Sequence, residues 1–203
     1  TAMCAIANGG KLVTPHVVSK VLDSDGNVIS ATETKVKRQI ISADTSRRIC
    51  DILGDIVNGG GSKNAYVAGY RVAGKTGTSE KRDTVENTED VVASFCGFAP
   101  ADDPQIAILV LLDSPSNDSG IYISGGQMAA PTVGNMMRDI LPYLGVEPEY
   151  TEKETETMDK TVPMLTGFTL QQRSEFVRNF LTGVGTNFQC FKLILAEIGV
   201  KCS

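Results

Sequence analysis

Several absences narrow what this chain can be before any motif is considered. No run of about twenty apolar residues occurs, so no segment is long and apolar enough to cross a bilayer as a helix. There is one histidine, His16, and none of the five cysteines (Cys4, Cys50, Cys96, Cys190 and Cys202) forms a C-x-x-C pair. A structural zinc needs about four ligands at workable spacing, so no metal site is expected. The odd cysteine count does not fit a secreted disulfide framework, and the thiols are expected to be mostly buried. No long basic stripe exists. Lys35, Lys37 and Arg38 are the densest basic cluster, read as a solvated edge, and the net charge of −5 counts against a nucleic-acid surface. Gly59-Gly60-Gly61-Ser62 follows a helix instead of opening one, and Lys63 lacks Walker spacing, so no phosphate loop and no cofactor is implied. Nor does the first residue look like a beginning. Ala2, Met3, Ala5, Ile6 and Ala7 read as the end of a helix stopped by Asn8-Gly9-Gly10, as expected of a segment cut from a longer chain.

What is present is a core-forming composition, 41% hydrophobic, with 20 glycines among 203 residues. Lys11 to Ile29 reads as a small β element turning at Asp25-Gly26-Asn27. A helix is expected from about Ala43 to Asn58, capped by Ser42, with Ile49, Ile52, Leu53, Ile56 and Val57 on one apolar face and the three glycines ending it. Three strands follow: Tyr70 to Gly77, Val91 to Ala99 and Gln105 to Leu112. The third is apolar nearly throughout and is expected to be covered on both faces. Its short link to the second, Pro100 to Pro104, requires an antiparallel pair. After a loop, a helix runs from about Gln127 to Leu141 with Pro131 near its start, and Met136 and Met137 are core. The expected fold is α+β, an antiparallel sheet flanked by helices. Residues 146–160, rich in glutamate, read as an acidic linker. Beyond it, Leu170 to Leu181 is expected to be helical, and Phe191 to Ile198 is helix or strand.

The run Val72-Ala73-Gly74-Lys75-Thr76-Gly77-Thr78-Ser79 resembles the K-T-G strand of serine penicillin-binding proteins and β-lactamases. The surrounding blocks carry the likeness further. Ala5-Ile6-Ala7-Asn8-Gly9-Gly10 with Pro15-His16-Val17, Val57 to Gly60 with Ala68-Gly69-Tyr70, Ala93 to Pro100, and Gly125 to Pro131 stand in family order. They resemble the class B transpeptidases over roughly residues 1–145. That resemblance implies the C-terminal part of a transpeptidase domain: a five-stranded antiparallel sheet between helical layers, without the all-helical subdomain. It implies an enzyme that cross-links peptidoglycan stem peptides through a serine acyl-enzyme and is acylated by β-lactam antibiotics. It also implies a place on the extracytoplasmic face of the cell membrane, anchored by an upstream segment, with the upstream remainder of the same polypeptide as partner. Val162 to Leu170 resembles the opening of a PASTA module, so residues 161–203 are expected to form a partial or divergent one, found in division and sporulation members.

The resemblance assigns roles residue by residue. Lys75 would attract the substrate's terminal carboxylate and bias nearby proton transfer. Thr76 and Thr78 carry hydroxyls that can donate to the same carboxylate. Gly77 would allow a ligand close to the strand, and Gly74 would pack against a neighbouring helix. The backbone amide of Thr78, or of its immediate neighbour, would be the second oxyanion-hole donor. The acylating serine is missing: no S-x-x-K occurs in the chain, so the segment alone is expected not to react with penicillin. Ser62-Lys63-Asn64 matches the family's S-x-N by letters only, since it lies about a dozen residues before Lys75 and not far upstream. His16 has no serine or aspartate partner at recognisable spacing and reads as a surface or structural residue. Asp102-Asp103 reads as solvated turn. The alternative is a non-catalytic penicillin-binding-like domain that binds cell-wall peptides or division partners.

Overall fold

The structure, a computed structural model, describes residues 1–81, 91–118, 120–158 and 191–197. The chain opens on α1 (Ala2–Ala7), which ends where Gly9 and Gly10 take positive φ. Gly10 has no alternative, because a Cβ there would stand 2.1 Å from the Ile41 carbonyl oxygen. Two antiparallel ladders follow. β1 (Lys11–Val13) pairs with β4 (Val36–Gln39), and β2 (Lys20–Leu22) pairs with β3 (Val28–Ala31) through the expected turn. Asp23 organises that turn, accepting from the Asp25 and Asn27 amides at 3.0 and 2.8 Å. These ladders stand apart from the main sheet. The basic cluster lies exposed on and beside β4, and His16 is exposed.

α2 (Ala43–Gly59) begins at Ser42, whose hydroxyl accepts from the Thr45 amide at 3.1 Å, as its sequence predicts. Its buried stripe is Ser46, Cys50, Leu53, Gly54 and Val57. Ile52 is 58% exposed, which corrects its place on the apolar face. One residue is 100° of helix, enough to carry Ile52 off a stripe centred on Leu53. Ser46 replaces it because its hydroxyl donates to the Ile6 carbonyl of α1.

The main sheet has the order β5-β6-β7-β8, all antiparallel: β5 (Ala73–Glu80), β6 (Val91–Ala99), β7 (Ile106–Asp113) and β8 (Phe191–Glu197). Among the described residues it holds four strands, and Phe191–Glu197 of the final apolar run is strand. β5 starts three residues later than the alternation suggested. Tyr70 is bonded back to the Val67 carbonyl at 3.2 Å, Gly69 has φ +78 and Arg71 φ +33, so the backbone turns until Val72. β7 is covered on both faces as expected. Ile108 and Val110 point into a core with Phe95, Val133, Met136, Met137 and Leu141, while Ala107 packs with Phe98, Ala73 and residues of α1 and α2. Helix α3 (Ala130–Tyr143) covers the first face, preceded by a π-helical turn, Gly125–Ala129, two residues upstream of the expected start.

The acidic stretch is not free of the fold over residues 147–158. The Glu149 amide donates to the Gly69 carbonyl at 2.8 Å, and α4 (Glu152–Met158) brings Glu154 to the Tyr66 hydroxyl and, at 3.2 Å, to the Gly69 amide. The PASTA-like opening and the helix expected at Leu170 to Leu181 lie outside the described residues.

Candidate functional site

β5 is an edge strand among the described residues, with β6 along one side only. Register places Lys75 opposite Cys96, Thr76 opposite Phe95, Gly77 opposite Ser94 and Thr78 opposite Ala93. Strand alternation divides the four residues between two faces. Lys75 and Gly77 share the face of Ala73, which packs with α1 and α2, and Thr76 and Thr78 share the face of the π-turn and α3.

Lys75 is exposed, and its ammonium folds along the strand to the Thr76 carbonyl at 3.1 Å and the Thr76 hydroxyl at 3.4 Å. It makes no ion pair among the described residues. A cation held by neutral acceptors keeps its charge available to an incoming anion. Thr76 is half-buried, and a Cβ at Gly126 would meet its methyl at 3.4 Å. Thr78 is exposed, yet its hydroxyl oxygen accepts the Gly125 amide at 3.1 Å. That partner was not foreseen.

The two glycines of the strand also meet close neighbours within the sheet. A Cβ on Gly77 would stand 2.6 Å from Ser94 Oγ, so its nearest constraint is the neighbouring strand. A Cβ on Gly74 would stand 2.5 Å from the Phe95 ring, so this glycine accommodates an aromatic of the sheet. Gly125 is tighter than either. A Cβ there would be 2.0 Å from the Ser94 carbonyl oxygen and 2.6 Å from that of Gly77. The π-turn therefore lies backbone to backbone on β5 and β6, on the face that carries Thr76 and Thr78. Its entry is capped by Ser124, whose hydroxyl accepts the Gln127 amide at 3.3 Å. Asn64 ties it laterally, donating to the Gly126 carbonyl at 2.9 Å.

Other candidate groups do not converge here. Burial pushes the Cys96 thiol up, with Cys4 adding to it, so Cys96 beside Lys75 is a neutral thiol and not a nucleophile at neutral pH. Burial raises Cys50 likewise. Asp102 pairs with Arg71 at 3.4 Å and Asp103 is exposed, far from the role of an acid–base dyad. No group of three metal-ligating side chains occurs among the described residues. A cleft of about 380 Å³ opens at the other end of β5, lined by Gly69, Arg71, Asp102 and Leu144, but none of Lys75, Thr76, Gly77 or Thr78 faces it. The Lys75–Thr78 edge is an open strand, able to take an extended chain whose anionic end meets a cation and hydroxyls.

Residues 1–138 match the family model for the penicillin binding protein transpeptidase domain. The chain is 38% identical over 187 residues to the Stage V sporulation protein D of Bacillus subtilis, covering 88% of this chain and 28% of that protein. It is 33% identical over 161 residues to the probable peptidoglycan D,D-transpeptidase PbpC of Pseudomonas aeruginosa, covering 78% of this chain and 26% of that one. Among solved structures, penicillin binding protein 3 of Mycobacterium tuberculosis superposes with a TM-score of 0.59 at 28% identity, over 71% of this chain and 34% of that one. The D,D-transpeptidase domain of the peptidoglycan glycosyltransferase from Eggerthella lenta does so with 0.55 at 27% identity, over 70% and 31%. The chain thus spans little more than a quarter of the length of these two curated relatives.

Proposed function

The chain belongs to the penicillin-binding protein transpeptidase family, and from that premise we propose that it supplies the K-T-G wall of a peptidoglycan D,D-transpeptidase. The reaction is acyl transfer. A serine hydroxyl, contributed from outside this segment, attacks a stem-peptide carbonyl. The C–N bond to the terminal residue breaks, that residue leaves as an amine after its nitrogen takes a proton, and the amine of a second stem peptide then displaces the serine. β-Lactams acylate the same serine.

Lys75 draws in the terminal carboxylate, and because among the described residues it touches only neutral acceptors, none of them spends this attraction on an internal ion pair. Thr76 and Thr78 offer hydroxyl hydrogens to that carboxylate. The Thr78 amide is the second oxyanion donor. In support, the Thr76 carbonyl accepts the Lys75 ammonium at the strand edge, and two-residue alternation turns the Thr78 backbone the same way. We infer that the work is done on the extracytoplasmic face of the membrane in sporulation or division, and likeness to a sporulation protein supports the first of these roles.

The observation that carries this reading is a lysine, two threonines and a glycine along an open edge strand, in a fold shared with transpeptidases. The test is covalent labelling of the intact protein by fluorescent penicillin. Wild type should label, and Lys75→Ala should slow acylation by about a hundredfold or more, the scale of losing one stabilising donor at an acyl-transfer site. An intact protein that takes no label would instead favour a non-catalytic cell-wall-binding domain.

A further inference from the structure

We propose that Asn64 is a positioning residue for the K-T-G edge: it holds the π-turn so that the Gly125 amide fixes the Thr78 hydroxyl, whose hydrogen is then aimed at a ligand carboxylate. The inference rests on the reading above, that an anionic peptide end lies against Thr78.

A threonine hydroxyl has one hydrogen and two lone pairs and rotates to suit its surroundings. Here the Gly125 N–H occupies one lone pair at 3.1 Å. The hydroxyl is thereby held as an acceptor from behind, and its own hydrogen is left for an acceptor in front. A hydroxyl that already accepts is also a stronger donor. The Gly125 amide can reach Thr78 only because the turn rests on the Ser94 and Gly77 carbonyls with no side chain between. It is also a π-turn, wider than an α-turn and a form that recurs where function needs a displaced backbone.

What keeps that turn in register from the side is Asn64. Its amide donates to the Gly126 carbonyl at 2.9 Å and lies 3.4 Å from Gln127 Oε1. Asn64 itself stands on a firm base. It belongs to the 3-10 turn Lys63–Ala65, between buried Ser62 and buried Ala65. Ala65 lies under α3 so closely that a Cβ on Gly134 would be 3.1 Å from its Cα. A chain of contacts therefore runs from Asn64 through Gly126 and Gly125 to Thr78. Asn64 is exposed, so it contributes direction more than burial. The Ser62-Lys63-Asn64 triplet, which has no place in the serine chemistry, acquires a role through its third residue.

The test uses the intact protein and compares acylation by a β-lactam bearing a free carboxylate with acylation by its methyl ester. The ratio of the two rates is taken within each variant, so any loss of folded protein cancels. Asn64→Ala, and Asn64→Leu, which keeps nearly the shape and neutrality but cannot donate, should slow the free acid about three- to tenfold and leave the ester within about twofold, the effect of one misdirected hydrogen bond. Thr78→Val should lower the acid-to-ester ratio further, and adding Asn64→Ala to it should lower it no more, because both act through one hydroxyl. Equal slowing of acid and ester, no slowing of either, or full additivity with Thr78→Val would overturn the role of Asn64. If Thr78→Val itself leaves the ratio unchanged, the fault lies in the placement of the carboxylate, not in Asn64.

Discussion

Substituting Gly125 by alanine tests how closely the π-turn is seated on the sheet. The added Cβ would sit 2.0 Å from the Ser94 carbonyl oxygen, 2.6 Å from that of Gly77 and 2.9 Å from the Ser94 carbonyl carbon. A relaxed carbon–oxygen contact is about 3.3 Å or more. All three obstacles are backbone atoms of paired strands, so no side chain can swing aside. The turn must retreat by more than about 1 Å, and the 3.1 Å bond from the Gly125 amide to Thr78 then lengthens past a useful distance. Overpacking of this kind costs about 1–3 kcal/mol, and the lost hydrogen bond about 0.5–1.5 kcal/mol. The sum, about 2–4 kcal/mol, corresponds to a fall in Tm on the order of 10 °C for a unit of this size. Thermal unfolding followed by circular dichroism reads it directly. Gly126→Ala is the internal control, since its Cβ would meet only the Thr76 methyl at 3.4 Å, an ordinary contact, and its Tm should stay within about 3 °C. If Gly125→Ala and Gly126→Ala melt together near wild type, the turn is not seated on β5 and β6 as described.

Gly10→Ala should lower Tm comparably, because it combines φ +87 with a Cβ 2.1 Å from the Ile41 carbonyl oxygen; a tolerated alanine in the same melting assay would contradict that close approach. Ser42→Ala removes the hydroxyl that caps α2 and should cost about 1 kcal/mol in urea unfolding, with no change in slope. The clasp between α4 and the Tyr66–Gly69 loop should hold from about pH 5 to 10 and loosen on either side. Burial pushes the Glu154 carboxyl up, but the Tyr66 hydroxyl and the Thr151 and Gly69 donors outweigh it and bring it down to about 2 from 4.5. A lowered carboxylate stabilises above its unfolded value, and that contribution fades as pH falls towards 2. Burial and Glu154 push Tyr66 up to about 12 from 10.0, so its contribution is complete below 10 and fades as pH rises towards 12. Hydrogen exchange of the Gly69 amide across this range is the readout, and Glu154→Gln should raise its exchange rate at neutral pH; a rate indifferent to both would discount the clasp.

The elements legible in the sequence are those whose cause is local. Ser42 before an apolar period marks the start of α2, and Asp25-Gly26-Asn27 marks the β2–β3 turn. The apolar run from Ile106 marks a strand covered twice. Misreadings arise where the deciding partner is distant in sequence. Ser46 is buried because the Ile6 carbonyl, 40 residues away, needs a donor, and no hydropathy pattern prefers it to Ile52. The glutamate-rich stretch has the composition of a solvated linker, and composition does not report that Glu154 meets the Tyr66 hydroxyl 88 residues back. Tyr70 fits strand alternation by letters, while Gly69 and Arg71 at positive φ keep it in a turn.

The site divides along the same line. Lys75-Thr76-Gly77-Thr78 is contiguous, so a short strand motif suffices to find it and to say that its side chains alternate. The features that orient it lie 47 and 62 residues from their partners: Gly125 beneath Thr78, and Asn64 beside Gly126. Gly125 was visible as part of a block resembling the closing helix, but only the backbone contact with Ser94 and Gly77 gives its reason. That reason also changes the weight of Thr78. As a free surface hydroxyl it would be one donor among several. Held by the Gly125 amide, it is the member of the motif whose direction the fold has fixed, whereas the Lys75 ammonium rests, among the described residues, on Thr76. Removing the charge should therefore weaken capture of every anionic ligand, and disturbing the turn should weaken discrimination between a carboxylate and its ester. These are separable consequences of one strand edge, because attraction acts over distance and a hydrogen bond acts only along a line.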